Sequence, residues 1–293
     1  MARIIRDPTL EDNIVEAALN EPDAESRVRA LYEDGCLVLL RDFRFDLDYA
    51  FLNELDFDVD GPPDIMRKLK KYSVDHILNL SARSNGPVEQ YAFKHVFRGD
   101  AGRLKHFQDQ VRSGDNQVYA LYKRIFPNYR DTKQIYTWRF TETLFENLHW
   151  DNFGTTEDFH QVRIFCNVDG RPRLWRTSER SETFARRVYA EKSLQRFADE
   201  TPDRFAFALN NKVLGGMAGA CLDGMRVNHL AFEQGDVWLC ETRLVSHQIY
   251  SGYRAIASMF FIDPESMDNP ELRYDARVKR IHADFARVGA SVN

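Results

Sequence analysis

The chain has 293 residues, of which 43% are hydrophobic and 29% are charged, and its formal net charge is −5. These values are typical of a globular protein with a sizeable core, and the acidic balance argues against a general nucleic-acid-binding protein. The four cysteines form no C-x-x-C pair, so no zinc cluster is predicted and a reducing compartment is favoured.

The first 130 residues are predicted to be mostly helical support. Helices are predicted at 24–34, 48–56 and 103–125, the last with a break at Ser113-Gly114-Asp115. Gly35 ends the first helix, and CLVLL at 36–40 follows as a buried strand. The start of the chain lacks the apolar stretch of a signal peptide, and no apolar run is long enough to span a bilayer. We therefore expect a cytoplasmic protein, either free or bound to a membrane surface.

The pattern changes to strands from about residue 134. Alternation of Ile135, Thr137 and Arg139 with aromatic residues indicates a strand. Further strand-like runs follow at 148–153, 161–168, 226–232, 236–242 and 254–262. A helical insertion is predicted near 179–212 and a C-terminal helix at 271–287. We predict one domain over 1–293, with a β core at 131–265 and a helical tail at 266–293. Many short strands with helical support are typical of a mainly β sandwich or jelly roll.

A His-x-Asp pair in a strand-like stretch is the first part of a candidate metal site. Alternate residues of a strand point to the same side, so His149 and Asp151 can reach one ion. Chance gives about one His-x-acid pair in a chain of this composition, and a second pair is present at His282 and Asp284. That pair lies in the predicted C-terminal helix, where residues i and i+2 diverge by about 200°. We therefore interpret it as unrelated to metal binding.

His247 follows the predicted strand DVWLCET and completes the candidate site. Two histidines and one carboxylate on one face of the ion, with the other face open, are the ligand set of non-haem iron(II) oxygenases. We predict that His149, Asp151 and His247 hold iron(II) and are the catalytic residues. Arg254, a short hairpin later, is predicted to pair with the far carboxylate of 2-oxoglutarate. Ser258 shares the strand face of Arg254 and would add a hydroxyl if that face lines the pocket.

These residues resemble the Fe(II)/2-oxoglutarate-dependent oxygenase superfamily, whose pattern is His-x-Asp, a long gap, then His and a downstream Arg. The segments HWDNFG, QVRIFCNVDGRPRLWRTSE and GDVWLCETRLVSHQIYSGYRAIASMFF, with LYEDGCLVLLRDF near the start, are similar to the Kdo hydroxylase family. The resemblance implies a double-stranded β-helix that uses Fe(II), 2-oxoglutarate and O2. It also implies hydroxylation at C3 of Kdo (3-deoxy-D-manno-oct-2-ulosonic acid) in lipopolysaccharide or Kdo-lipid A, which gives D-glycero-D-talo-oct-2-ulosonic acid.

An anionic, lipid-linked sugar needs cationic and membrane-facing residues. Arg163 alternates with Phe165 on a strand and is predicted to point inward, where it can contact 2-oxoglutarate or the acidic substrate. Trp175 is predicted to stack on the sugar or to cover the cosubstrate. Further cationic candidates, with a solvated loop as the alternative, are Arg171, Arg173 and Arg176. The basic, partly apolar segment 66–72 is a candidate for peripheral contact with the cytoplasmic face of the inner membrane, or is an exposed basic helix.

Two other functions stay open at this point. One is a 2-oxoglutarate-dependent hydroxylase of another small molecule or of a protein side chain, because substrate choice depends on loops. The other is a non-catalytic, metal-containing jelly-roll protein that binds sugars. The glycine-rich GGMAG at 215–219 matches no phosphate-binding motif and is interpreted as a flexible turn.

Overall fold

The computed structural model describes residues 1–58, 61–62, 64–65, 86–142, 147–155, 158–210 and 226–290. The basic segment 66–72 and the glycine-rich segment 215–219 lie outside these residues, so their predicted roles have no structural counterpart here. Among the described residues, no helix combines the length and the apolar character that crossing a bilayer requires.

Two β-sheets form the centre of the molecule. The strands are β1 Arg3–Ile5, β2 Ile14–Ala17, β3 Leu37–Leu40, β4 Asp131–Ile135, β5 Trp138–Arg139, β6 His160–Asn167, β7 Arg173–Thr177, β8 Asn228–Phe232, β9 Val237–Leu239, β10 Gln248–Ser251 and β11 Ala255–Ile262. The four-stranded small sheet has the order β1-β8-β7-β10. The seven-stranded large sheet has the order β2-β3-β9-β6-β11-β4, and β5 also pairs with β11. All pairs are antiparallel except β2 with β3.

Helices cover the large sheet and one end of the molecule. They are α1 Ala24–Glu33, α2 Tyr49–Glu54, α3 Pro87–Tyr91, α4 Ala101–Ile125, α5 Ser181–Val188, α6 Pro202–Ala208 and α7 Tyr274–Ala290. A π-helical turn at Ala92–Val96 continues α3, and short 3-10 turns lie at Leu194–Phe197, Pro264–Ser266 and Pro270–Leu272.

The two faces of β6 separate two hydrophobic cores. Ile164 and Cys166 point toward the helices and belong to the core between the large sheet and α1, α2 and α4. Phe165 points the other way and packs against Trp175 and Trp238 in the core between the sheets. Because side chains alternate along a strand, Arg163 also faces the space between the sheets. This alternation decides which polar residues can reach a site there.

The helix predicted over 103–125 is present, but the predicted break at Ser113-Gly114-Asp115 is wrong. α4 runs without interruption, and its first turn is capped by the Asp100 carboxylate, which accepts hydrogen bonds from the amides of Gly102 and Arg103. Gly114 is needed for packing, since a Cβ there would lie 2.5 Å from Cζ2 of Trp138. The glycine therefore marks a close approach of helix and sheet.

The structure agrees with most of the predicted elements and adds several strands. The helix at 24–34, the strands at 161–168, 226–232 and 254–262, and the C-terminal helix are confirmed within a few residues. The insertion near 179–212 contains α5, a 3-10 turn and α6. The N-terminal third also supplies β1, β2 and β3, so it contributes more to the sheets than a helical support region would. The run 148–153 forms only an isolated bridge at His149.

Candidate metal centre

Two distant segments meet at His149 and His247. The amide of His149 donates to the carbonyl of His247 at 3.1 Å, and the amide of His247 donates back at 2.9 Å. Asp151, two residues after His149, donates its backbone amide to the carbonyl oxygen of Thr242 at 2.9 Å. Backbone hydrogen bonds alone therefore bring the three predicted ligands to one place.

The ligand atoms of the triad converge on one point. Nε2 of His149 and Nε2 of His247 each lie 3.6 Å from Oδ1 of Asp151, and all three ligand atoms lie within 4.8 Å of one another. Ligands bound to a metal at about 2.1 Å lie about 3–3.5 Å apart, so a small ion fits with a slight contraction. The donor set, two imidazoles and one carboxylate, suits iron(II).

The other nitrogen of each imidazole is bound to a backbone carbonyl. Nδ1 of His149 lies 3.0 Å from the carbonyl oxygen of Asn147, and Nδ1 of His247 lies 3.3 Å from that of Val245. A carbonyl only accepts, so each Nδ1 carries the hydrogen and each neutral ring directs its Nε2 lone pair toward the Asp151 carboxylate. Such a tautomer is typical of metal-binding histidines, and the converging acceptors call for a cation between them.

Asp151 is held in its charged form. Burial raises the pKa of its carboxyl, but the charge of Arg163 and the two imidazoles outweigh burial and hold that pKa well below its usual range. Arg163 Nη1 donates to Oδ2 of Asp151, and the Thr242 hydroxyl donates to the same oxygen at 2.6 Å. Oδ2 is thus engaged by the protein, while Oδ1 faces the imidazoles as a single ligand atom.

In the metal-free protein, the pKa values of the two histidines are shifted in opposite directions. Burial lowers the pKa of His247 to about 3, with help from the charge of His149. Burial also opposes the charged form of His149, but its hydrogen bond to Asp151 and the charge of Asp151 outweigh burial and raise its pKa. At neutral pH His247 is therefore uncharged and ready to bind a metal, and Asp151 favours positive charge at His149, which a bound metal ion would supply.

Trp175 lies directly against one ligand. Its ring stacks on that of His247, with centroids 5.5 Å apart and an angle of 27° between the planes. The side chain is 0% exposed and packs on Phe165, Phe232 and Trp238. The prediction that Trp175 stacks on a sugar is therefore wrong, because no ring face is open. Its position behind His247 orients that ligand instead.

A buried polar chain continues from the Thr242 hydroxyl. Nε2 of Gln161 donates to Oγ1 of Thr242 at 2.8 Å and also to the Glu241 carboxylate. Glu241 in turn accepts from the amide of Arg243 at 2.9 Å. These side chains are all buried. They fix the hydroxyl that holds Asp151, and nothing in their sequence pattern pointed to this role.

The structure does not bring Arg254 to the triad. Its guanidinium donates to Asp169 at 2.6 Å and to the carbonyl of Leu55 at 2.7 Å. Arg254 directly precedes β11, whose Met259 pairs in register with Arg163. Arg254 and Met259 are five positions apart, which is about 17 Å along a strand. The role of Arg254 as a cosubstrate anchor stays a prediction that these contacts do not favour.

The prediction for Ser258 depended on which face of β11 lines the pocket. Ser258 pairs in register with Ile164, whose side chain belongs to the core beneath the helices. Paired residues of antiparallel strands point to the same side, so Ser258 faces away from the triad. The expectation that its face lines the metal pocket is wrong.

The remaining arginine candidates fall in different environments. Arg171 is exposed, binds Asp169 at 2.9 Å and lies 3.5 Å from the ring centre of Tyr253. Arg176 lies on the outer face of β7, 4.6 Å from the ring centre of Tyr250. Arg173 is buried on the inner face of β7. Of these three candidates, only Arg173 shares the space between the sheets with Arg163.

The second His-x-Asp pair is in a helix, as predicted. Both residues belong to α7; Nδ1 of His282 lies 2.5 Å from the hydroxyl of Tyr189, and Asp284 accepts from Arg186 at 2.9 Å. The two side chains therefore bind different partners. Among the described residues, the group of histidine and acidic side chains arranged for a metal is the triad.

Comparison with known proteins gives matches in structure alone. No protein-family model matches the chain, and no curated protein is significantly similar to it in sequence. An apo structure of the Kdo hydroxylase KdoO, a non-heme Fe(II) α-ketoglutarate-dependent dioxygenase, matches with a TM-score of 0.63 at 15% identity, over 92% of this chain and 95% of that chain. The chain has the fold of that structure.

Two further structures of KdoO agree with this result. The complex with cobalt(II) matches with a TM-score of 0.62 at 16% identity, and the complex with succinate and Fe(III) matches with a TM-score of 0.61 at 15% identity. Each covers 92% of this chain and 95% of its own. The resemblance noted in the sequence is thus confirmed for the fold. The functional argument comes from the metal centre itself.

Proposed function

We propose that this protein is an Fe(II)- and 2-oxoglutarate-dependent dioxygenase that hydroxylates C3 of Kdo in lipopolysaccharide or Kdo-lipid A, giving D-glycero-D-talo-oct-2-ulosonic acid. The observation that carries the proposal is the convergence of two imidazole Nε2 atoms on the Asp151 carboxylate, each 3.6 Å from Oδ1, on a fold shared with KdoO. In the same proposal the two sheets form a double-stranded β-helix within one domain, and the enzyme acts in the cytoplasm at the inner membrane.

The chain's own residues prepare the centre. His149, Asp151 and His247 would hold the iron, and the Nδ1 contacts to backbone carbonyls keep both rings turned toward it. Arg163 and Thr242 keep Asp151 ionised and bound through one oxygen. When bound, Fe(II) with 2-oxoglutarate and O2 supplies the oxidation that exchanges a C–H hydrogen for a hydroxyl, with succinate and carbon dioxide as co-products.

The residue at the carboxylate position bears on the outcome of the reaction. An alanine or glycine at position 151 would leave a metal position for a halide ion, whereas Asp151 fills it. Hydroxylation is therefore favoured over halogenation. Arg163 and Arg173 bring positive charge into the space between the sheets, which suits an anionic sugar acid and supports Kdo over a neutral substrate.

The metal centre can be tested by spectroscopy. Purified protein is mixed anaerobically with Fe(II) and 2-oxoglutarate, and the visible charge-transfer band of the chelate is recorded. We expect the band in the wild type and in His282→Ala, which removes the histidine of the helical His-x-Asp pair, and its loss in His149→Ala. A wild-type protein without the band would contradict the oxygenase assignment.

The substrate requires a separate test. Lipopolysaccharide from cells with and without an intact gene is compared by mass spectrometry. We expect the addition of one oxygen atom to Kdo only where the gene is intact. Unchanged Kdo in both strains would reject the substrate and leave a 2-oxoglutarate-dependent hydroxylase of another molecule.

A further inference from the structure

The large sheet extends beyond the small sheet on the side of β11 and β4. The hydrophobic core between the sheets contains side chains of β2, β3, β9 and β6, and among the described residues it reaches β11 only at Ala257. Past Ala257, the inner face of the large sheet carries apolar side chains that are only half-buried, namely Ile135, Met259 and Phe261. In the described part of the chain, these three belong to none of the hydrophobic cores, so their surface is available to a ligand.

The strand register places this surface beside the metal ligands. Met259 pairs with Arg163 on β6 and with Ile135 on β4. Directly paired residues point to the same side, with Cβ atoms about 4.5–5.5 Å apart. Arg163 in turn donates to the metal ligand Asp151. Met259 is therefore the immediate neighbour of the side chain that contacts the carboxylate, and Ile135 lies one strand further out.

Phe261 forms a second row of the same surface. It pairs with Gln161 on β6 and with Lys133 on β4, and Nζ of the exposed Lys133 lies 5.5 Å from the centre of the Phe261 ring. Phe153, two residues after the metal ligand Asp151, packs edge-to-face on Phe261 with ring centroids 5.9 Å apart. The segment that carries the metal ligand thus continues directly onto the apolar surface.

The two aromatic rings of this surface are already held in place. The amides of Phe153 and Gly154 donate to the Asp203 carboxylate at 2.8 and 2.7 Å, which fixes the backbone that carries the first ring. The buried Phe159 lies behind both rings, with its centroid 5.5 Å from that of Phe153 and 5.0 Å from that of Phe261. A ligand that packs on these rings does not need to order them, and this lowers the entropic cost of binding.

We call this surface the apolar wall; its four members are Ile135, Phe153, Met259 and Phe261. Neighbouring strands lie about 4.8 Å apart, and alternate residues of one strand lie about 7 Å apart. The part of the wall on β4 and β11 therefore has the size of one six-membered ring, whereas an extended acyl chain would need a longer groove. Polar residues border the wall on the same face of the sheet. Lys133 lies at one end, and Arg139, which pairs with Ala255, lies at the other.

We propose that the apolar wall is a specificity-determining surface that packs on the C–H face of a six-membered ring in the substrate, next to the carbon that reacts. The proposal rests on the proposed function for the identity of that ring, which is a sugar acid. The face of an aromatic ring is electron-rich and attracts the slightly positive C–H groups of a pyranose. A hydroxyl or charged group turned toward the wall would lose its hydrogen bonds to water without replacement. Met259, nearest to the metal ligands and flexible, is the main contact, and the wall takes the stacking role that the buried Trp175 cannot fill.

The first test detects the contact directly and does not depend on catalysis. The chain has six methionines, so labelling of their methyl groups with carbon-13 gives a simple NMR spectrum, and the signal that Met259→Leu removes belongs to Met259. Kdo is added to protein that holds the diamagnetic ion Zn(II) and 2-oxoglutarate. We expect the Met259 signal to shift, while that of Met267, which is buried in the core beneath the helices, stays in place. A Met259 signal that does not move when Kdo binds would overturn the proposal.

The second test compares affinities for two rings of the same size, Kdo and cyclohexanecarboxylate, which has no hydroxyl groups. Met259→Gln keeps the length of the side chain but removes about 40–50 Å² of apolar contact, which corresponds to about a five- to tenfold weaker Kd for either ligand. Met259→Leu should stay within about twofold of wild type. Leu174→Gln, at a half-buried position on the outer face of β7, is the matched control and should bind as the wild type does.

The remaining outcomes separate the wall from a structural role and from the proposed function. The Kd for 2-oxoglutarate and the melting temperature of Met259→Gln should match wild type; if both are impaired, the substitution disturbs the whole site and the proposal is overturned. If cyclohexanecarboxylate binds more weakly to Met259→Gln than to wild type while Kdo does not bind wild type, the substrate assignment fails and the wall stands. Equal binding of Kdo to both proteins rejects the wall and leaves the substrate assignment intact, and binding of neither ligand to the wild type rejects both.

Discussion

The hydroxyl of Thr242 offers a sharp test of how the protein controls its metal ligand. Thr242 is fully buried, donates to Oδ2 of Asp151 at 2.6 Å, and accepts from Gln161 at 2.8 Å and from Arg163 at 3.2 Å. Thr242→Val keeps the shape of the side chain and removes the hydroxyl. Oδ2 of Asp151 then accepts a hydrogen bond from Arg163 but none from residue 242, and the carboxylate is less firmly oriented toward the imidazoles.

The size of the effect follows from the kind of hydrogen bond that is lost. A buried hydrogen bond to a charged group contributes about 1.5–3 kcal/mol, which corresponds to roughly a ten- to hundred-fold change in affinity. Removal of a residue that orients a metal ligand typically weakens metal binding by about the same factor. We therefore expect Thr242→Val to weaken Fe(II) binding by about ten- to a hundred-fold.

The assay is an anaerobic Fe(II) titration, followed through the chelate band at saturating 2-oxoglutarate. Thr242→Ser, which retains the hydroxyl, is the matched control and should stay within about threefold of wild type. Melting temperatures of both variants are recorded so that a loss of folded protein is not mistaken for weak binding. If Thr242→Val binds iron as tightly as Thr242→Ser, the hydroxyl does not orient Asp151 and the reasoning is refuted.

Three further predictions concern other parts of the molecule. Burial and the nearby charge of Asp158 raise the pKa of Asp275 to about 7, so the folded state binds a proton more tightly than the unfolded state. The free energy of unfolding should therefore fall by a few kcal/mol as pH rises from about 4 to 7. Asp275→Asn should flatten this part of a plot of melting temperature against pH, and an unchanged slope would contradict the assignment. Arg254→Ala should leave the Kd for 2-oxoglutarate, measured in the presence of Mn(II), within about twofold of wild type. It should lower the melting temperature, because Asp169 and the Leu55 carbonyl lose a hydrogen-bond donor. A much weaker Kd would show that Arg254 does bind the cosubstrate. Gly114→Ala should cost about 1–3 kcal/mol in urea unfolding, because its Cβ would meet Trp138, whereas the exposed Ser113→Ala should be nearly neutral.

The grouping of His149, Asp151 and His247 was predictable because the sequence pattern that indicates it is local and periodic. His149 and Asp151 fall on one side of an extended segment whatever the fold, and His247 follows a strand that the hydrophobic pattern indicates clearly. The helical spacing around His282 was equally informative, since it separated an unrelated pair of the same form. The fold class followed from the number and length of the strand-like runs.

The positions of Arg173, Arg139 and Ser258 depended on information that the pattern does not contain. Both faces of β11 are covered over at least part of the strand, one by helices and one by the second sheet, so apolar residues occur on both and alternation cannot say which face lines a pocket. Arg139 and Arg173 lie far apart in the chain and face one space only because β5 and β7 belong to opposite sheets.

The reciprocal backbone hydrogen bonds of His149 and His247 have a consequence for the life of the metal centre. The two proposed histidine ligands are joined as a cross-strand pair by hydrogen bonds that involve no metal, so the fold would be complete before iron binds. Many small metalloproteins instead depend on the ion for folding. In the proposed enzyme, iron lost to a chelator or to oxidation would therefore be replaced in an already folded chain, without a new round of folding.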